Sequence, residues 1–324
     1  MFTKNLSQIS KDDTEIAGGK GASLGEMIQA NIPVPPGFVI LTYGFDLLLH
    51  SASLIAEIET TLDQVNHQDT HSVEQASEKI QALILNTEIP KEIEDDTIKS
   101  FHSLKAPLVA VRSSATVEDS LSSSWAGELE TYLNTTKATL LENVKKCWAS
   151  LFSPRAIFYR FEKGLYQSKI SVAVVVQKMI NSETAGVAFS VHPVTEDKNQ
   201  LIIEAGFGLG EAIVSGSITP DSYIVDKQNF SIIDINISQQ DRKLVKVVTG
   251  GNKWMDVAAN ETSLQKLSNK QIVELAKLII KIERHYRFPV DVEWAIEKNQ
   301  IFITQSRPIT TLSNSAGSGL AKLD

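Results

Sequence analysis

The chain has 324 residues, of which 42% are apolar and 22% charged, with a formal net charge of −8 and one cysteine. Such a composition is that of an ordinary globular protein, and the length allows two lobes with separate cores, because single cores stop growing near roughly 250–300 residues. The acidic balance excludes nonspecific nucleic-acid binding, which needs a basic surface, and no apolar run approaches the roughly 18 residues of a membrane span.

In chain order, the polar start contains no basic-then-apolar leader, so the expectation is a cytoplasmic protein. Gly18-Gly-Lys-Gly21 precedes a short helix from Ser23 to Ala30, which Asn31 and Pro33 stop. The turn Pro35-Pro36-Gly37 then feeds a strand, Phe38 to Thr42. Tyr43 to Asn86 reads as helical, with Ile80, Leu83 and Ile84 on one side. His67 and His71 stand four apart, a spacing able to bind metal, but their polar flanks fit a connection better. Val109 to Arg112 is a strand, and Leu140–Phe152 and Pro154–Phe161 are helical. Cys147, among Val144, Trp148 and Leu151, reads as a buried structural thiol, and a single cysteine leaves no internal disulfide.

The β-branched run from Ile170 to Ile180 predicts a buried strand. Gly186–Phe189 and Leu201–Ile203 are further strands, and Tyr223 to Ile235 contains a hairpin. Ser268 caps a long amphipathic helix reaching His285. Val290–Ile296 and Gln300–Thr304 alternate as a hairpin around Lys298-Asn299. After Thr311 the composition is that of a linker.

Several of these segments carry chemistry. Arg112 ends a short apolar run and is followed by Ser113-Ser-Ala-Thr-Val-Glu-Asp119, then Trp125-Ala-Gly127 and Glu130-Thr131. Arginine presents a planar fork of donors matched to phosphate; a surface arginine beside a polar turn is the plainer reading. Gly18–Gly21 fails as a Walker loop, since Thr14 and Gly21 stand where glycine and Ser/Thr are needed. What remains is a glycine-flanked lysine, either a phosphate contact or a solvated turn. Gly206-Phe-Gly-Leu-Gly-Glu211 fails the dinucleotide spacing at Glu211. Asp291 and Glu293 share one face of a strand by period two. If the hairpin pairs through Lys298-Asn299, Glu293 and Gln305 become cross-strand neighbours within about one register step. Two acids and an amide oxygen suit Mg²⁺, and Arg307 lies on the face of Gln305. Solvated charges on an exposed strand are the alternative.

Taken in order, these segments resemble the nucleotide-binding domain of the phosphoenolpyruvate synthase and pyruvate, phosphate dikinase family, which rifampicin phosphotransferases share. Val34-Pro-Pro-Gly-Phe38, Gln177-Lys-Met179, Pro220-Asp-Ser-Tyr223 and Thr304-Gln-Ser-Arg-Pro308 extend the match from Gly18 to Pro308. The resemblance implies an α+β, two-lobed ATP-grasp-like fold with nucleotide between the lobes. The corresponding division is residues 1–180, 181–312 and a linker or tail at 313–324.

By the same resemblance Lys20, Arg112, Gly127, Thr131, Gln177, Glu293, Gln305 and Arg307 match ATP-contacting positions. Lys20, Arg112 and Arg307 are expected on phosphates, acting as the catalytic groups. Glu293 and Gln305, with Asp291 as a further candidate, are expected on Mg²⁺, and Gln177 near adenine. Glu128 departs from the glutamine many relatives carry. The implied chemistry is phosphoryl transfer from ATP to a histidine on a separate swivelling domain, and onward to an acceptor held by another domain. None of the six histidines has the context of that acceptor, including His192 in Ser190-Val-His-Pro-Val194. The chain therefore resembles the nucleotide half of such a dikinase. The same half of an antibiotic phosphotransferase, or a regulatory nucleotide-binding module, are the other readings.

Overall fold

A computed structural model describes residues 1–116, 130–165, 170–247, 249–310 and 312. The first part of the chain supplies β1 (Thr3–Asn5), α1 (Thr14–Gln29), β2 (Gly37–Ile40), α2 (Thr42–Ser51), α3 (Ile55–Asp63), α4 (Thr70–Asn86) and α5 (Lys91–Leu104). Then follow β3 (Val109–Ala115), β4 (Thr131–Thr135), α6 (Leu140–Ala149), α7 (Pro154–Glu162) and β5 (Val172–Lys178). The five strands form an antiparallel sheet in the order β1-β2-β5-β3-β4. The second part supplies β6 (Thr184–Phe189), β7 (Gln200–Phe207), α8 (Glu211–Val214), β8 (Asp221–Asp226), β9 (Ile232–Asn236), β10 (Arg242–Lys246) and β11 (Asn252–Asp256). It closes with α9 (Asn269–Tyr286), β12 (Val290–Glu297) and β13 (Gln300–Pro308). Six of these strands form a second sheet, β13-β12-β6-β7-β8-β9, and β10 and β11 form a separate two-stranded sheet. The chain is thus an α+β structure, and none of its described helices is long and apolar enough to cross a membrane.

Strand β5 shows why the first sheet is buried on both faces. Side chains alternate along a strand: Val172, Val174 and Val176 enter one core with helices α2 and α4–α6. Ala173 and Val175 enter the other, which also holds Leu24 and Met27 of α1 and Ile279, Val292 and Trp294 from the second half of the chain. All strands of the first sheet precede those of the second, yet this second core joins residues from both. Helix α1 is the element that mediates the union, packing against β3, β5 and β13.

Several expected elements shift. The glycine-flanked lysine lies within α1, not ahead of it, and the helix is kinked at Gly18, whose φ is +69°. A Cβ there would stand 2.1 Å from the carbonyl oxygen of Ser114, so only glycine lets the helix approach β3 so closely. Strand β3 runs through to Ala115, which makes Arg112 a mid-strand residue and not a strand end. Tyr43–Asn86 breaks into three helices. Helix α5 and the β10–β11 hairpin have no counterpart among the expected elements. The Ser268 cap is present, its side chain accepting the N–H of Gln271, and Cys147 is fully buried. The linker composition after Thr311 falls on 313–324, outside the described residues.

Candidate functional site: a cationic cleft between two sheets

Alternation that buries Val109 and Val111 points Ala110 and Arg112 to the opposite face of β3, where Gln177 pairs with Ala110 and Thr131 with Arg112. These residues form one wall of a cleft of about 510 Å³. Lys20 of α1 lies in its floor, and Glu293, Gln305 and Arg307 of the β12–β13 hairpin form the facing wall. Met179, Ile180, Ala185, Leu209 and Val214 line an apolar end.

The hairpin's turn is at Lys298 and Asn299, both with positive φ as a two-residue hairpin turn requires. Its register changes between Glu293 and Trp294, so that Trp294 faces Ile303 but Glu293 faces Gln305. Thr304 is the extra residue of this bulge. Ile303 therefore points into the core, whereas Gln305 and Arg307 turn to the face carrying Glu293. The Thr304 carbonyl accepts a hydrogen bond from Arg112 Nη1 at 2.6 Å.

Arg112 crosses from the first sheet to the second. Its Nη2 donates to Gln305 Oε1 at 2.5 Å and stands 3.5 Å from a carboxylate oxygen of Glu293. Nη1 also donates to Gln177 Oε1 at 3.3 Å. Arg112 is 6% exposed, and its Nε is buried without a hydrogen-bond partner among the described residues. Lys20, 5% exposed, donates from Nζ to the Ser113 carbonyl at 2.8 Å. The N–H of Gly21 is bonded to Ser114 Oγ.

Arg307 is gripped by Asp291. Its Nε lies 2.7 Å from Asp291 Oδ2, and Nη2 lies 2.7 Å from the same oxygen. Burial raises the Asp291 carboxyl above the usual range, Arg307 opposing that shift. Burial and the charge of Asp291 likewise raise Glu204. Asp291, considered from the sequence as a metal ligand, is not among the residues lining the cleft; its carboxylate holds Arg307 instead.

Of the sequence-derived candidates, Lys20, Arg112, Thr131, Gln177, Glu293, Gln305 and Arg307 thus meet in one cavity. Gly127, and with it the Trp125–Glu128 segment, lies outside the described residues. The His67 ring stacks on Phe161 and the His71 ring bonds to Gln75, so the two rings take different partners. His192 accepts the N–H groups of Val194 and Thr195 through Nδ1, a turn-forming role. Sequence reasoning missed Lys178, whose charge follows Gln177 in the cleft wall, and gave Glu211 no role, although it ends the glycine-rich segment it had singled out. The lining side chains include four cations, Lys20, Arg112, Lys178 and Arg307, against two acids, Glu211 and Glu293. In a chain of net charge −8, positive charge is concentrated where an anion could enter.

A family model described as pyruvate phosphate dikinase, AMP/ATP-binding domain, matches residues 14–322. A probable phosphoenolpyruvate synthase of Methanocaldococcus jannaschii is 43% identical over 318 residues, covering 96% of this chain and 27% of that protein. One from Archaeoglobus fulgidus is 45% identical over 313 residues, covering 95% of this chain and 41% of its own length. One from Methanothermobacter thermautotrophicus is 41% identical, covering 95% and 46%. The chain thus spans less than half the length of these relatives. Because the match takes in every element that builds the cleft, from α1 to β13, the chain belongs to the pyruvate phosphate dikinase AMP/ATP-binding domain family.

Proposed function

We propose that the cleft binds MgATP between two ATP-grasp-like lobes, residues 1–180 and 181–312, and presents its terminal phosphoryl group to a histidine on a separate domain. The observation that carries this reading is Arg112, a buried arginine of one sheet whose fork meets the carbonyl of Thr304, the amide of Gln305 and the carboxylate of Glu293 on the other. Phosphate oxygens match that fork better than these neutral and singly charged acceptors do.

Lys20, Arg112 and Arg307 hold the phosphates in this reading. Asp291 orients Arg307, and its carboxylate is the positioning group for that clamp. Gln177 stands beside the apolar end, with Met179 and Ile180, where an adenine ring would stack. Thr131, opposite Arg112, belongs to the phosphate side, and Gly127 is assigned an ATP contact by family resemblance alone.

For Mg²⁺ the donor set fits: Glu293 and Gln305 are directly opposed and offer a carboxylate and an amide oxygen on the cleft face. Both oxygens now face Arg112, so they would take up the ion as Arg112 turns to the phosphates. When bound, the ion neutralises charge on the transferring phosphate. Similarity to probable phosphoenolpyruvate synthases favours a phosphoenolpyruvate synthase-like pathway for the phosphoryl group, with pyruvate as the final acceptor on a further domain, over antibiotic phosphorylation.

Calorimetric titration of ATP into the chain, with and without magnesium, tests the reading. Saturable binding that strengthens with magnesium is expected. A folded sample that takes up no heat under either condition overturns it.

A further inference from the structure

The segment between β9 and α9 leaves the second sheet, forms the β10–β11 hairpin, and returns. None of its described residues lines the cleft, yet two of its amide side chains bind the cleft's glycine-rich rim.

Gln240, 2% exposed, grips the backbone of Phe207 at both ends. Its Oε1 accepts the Phe207 N–H at 2.8 Å, and its Nε2 donates to the Phe207 carbonyl at 2.9 Å and to that of Arg242 at 3.0 Å. A side-chain amide here takes the place of a strand partner at the end of β7. Immediately beyond it, Gly208 has φ +91°, and a Cβ there would lie 2.4 Å from the Leu244 carbonyl of β10. Leu209 donates its N–H to that same carbonyl at 2.9 Å. The rim is therefore built directly on the hairpin.

Asn252 makes the second connection. Its Nδ2 donates to a carboxylate oxygen of Glu211 at 2.7 Å, and its Oδ1 accepts from Asn134 Nδ2. Asn134 is 1% exposed and belongs to β4 of the first sheet. Glu211 opens α8 and lines the cleft. One asparagine thus joins β4 of the first sheet to α8 at the cleft rim by a chain of donors and acceptors, Asn134 to Asn252 to Glu211. Gly251 adds a backbone bond to the Asn134 carbonyl at 3.4 Å.

We propose that Asn252 and Gln240 are positioning residues of the nucleotide cleft. The hairpin is a brace that fixes the Gly206–Glu211 rim against β4, so that the cleft is pre-shaped before ligand enters. The proposal rests on the nucleotide reading of the cleft for its effect on affinity, but the brace itself is a property of the free protein. Holding a rim in its bound geometry lowers the ordering cost of binding.

The test uses the full chain. Asn252→Ala, whose side chain is half-buried at the hairpin, should raise the Kd for ATP about tenfold, the size of one charge-assisted hydrogen bond. In the nucleotide-free protein it should speed hydrogen exchange at Gly251 and along 206–211. Asn252→Asp should be worse, since it opposes two carboxylates. Combining it with Glu211→Gln should recover affinity relative to Asn252→Asp alone, because the donor and acceptor are then exchanged. A merely structural role predicts no such recovery. Gln240→Leu tests the second contact, with exchange at Phe207 and Gly208 as the readout should it bind ATP too weakly to measure. Unchanged exchange and unchanged ATP affinity in Asn252→Ala overturn the brace. If even the unaltered chain binds no ATP, the nucleotide reading fails, and the exchange data alone decide whether the rim is braced.

Discussion

Two buried charge clusters stand in contrast within this molecule. In the first, Lys266 and Asp221 are both fully buried and 2.9 Å apart. Every group is used: Asp221 also accepts from Tyr223 Oη, Ser238 N–H and Lys266 N–H, while Lys266 Nζ donates to the Ser238 carbonyl and lies over the Phe207 ring. In the second, Arg112 is nearly as buried but reaches one carboxylate only at 3.5 Å, and its Nε has no hydrogen-bond partner among the described residues. The first is closed and locks the connection between β8 and α9. The second is open toward a cavity. A buried charge with unused capacity marks a place where a ligand can complete the set, whereas a saturated one marks architecture.

Breaking the closed cluster should cost the most. Lys266→Met leaves Asp221 buried without its cation, an expected loss of about 3–5 kcal/mol; an unshifted urea midpoint would contradict the architectural role. Arg112→Ala should do the reverse. ATP affinity is expected to fall about 30-fold or more, since charge-assisted bonds to phosphate are lost, while the urea midpoint moves far less than for Lys266→Met. Equal losses of stability in both variants would erase the distinction.

The smallest effect sharpens the comparison at its midpoint, the Glu204 and Asp291 carboxyls, of which Asp291 alone is paired with Arg307 while Glu204 senses the charge of Asp291. Burial raises both above their ordinary values. The folded protein therefore holds these protons more tightly than the unfolded chain does. Their favourable contribution is complete below the unfolded values, roughly pH 4, and is lost as pH rises through the folded ones. Wild type should gain stability relative to Glu204→Gln as pH falls from 7 to 5, read as the difference in Tm between the two proteins. A difference that stays constant with pH would remove the raised carboxyl from the account.

Much of the framework is legible from local pattern. The unbroken, β-branched run from Val172 to Val176 announces a buried strand, Ser268 announces a helix start, and Lys298-Asn299 a hairpin turn. Each depends on contacts a few residues apart. The cleft is legible differently: Lys20, Gln177 and Arg307 are unremarkable in isolation, and only their joint order with the other segments pointed to one site. The β10–β11 hairpin escaped because its strands alternate apolar and charged residues too weakly to declare an inward face, with only Leu244 buried.

Tertiary structure decided the rest, and the Thr304 bulge shows why. A regular two-residue hairpin at Lys298-Asn299 would set Thr304 opposite Glu293 and leave Gln305 on the core face with Ile303. One extra residue reverses the facing of everything beyond it, and nothing in Ile-Thr-Gln-Ser-Arg specifies that residue. It is favoured in the folded state, where Arg112 from another sheet meets the Thr304 carbonyl. Asp291 is a similar case: period two places it beside Glu293, but burial next to Arg307 gives the two carboxylates different partners. Sequence by itself determined which segments become strands and helices and which carry charge. Which charges face one another was settled by register and burial, properties of the assembled sheets.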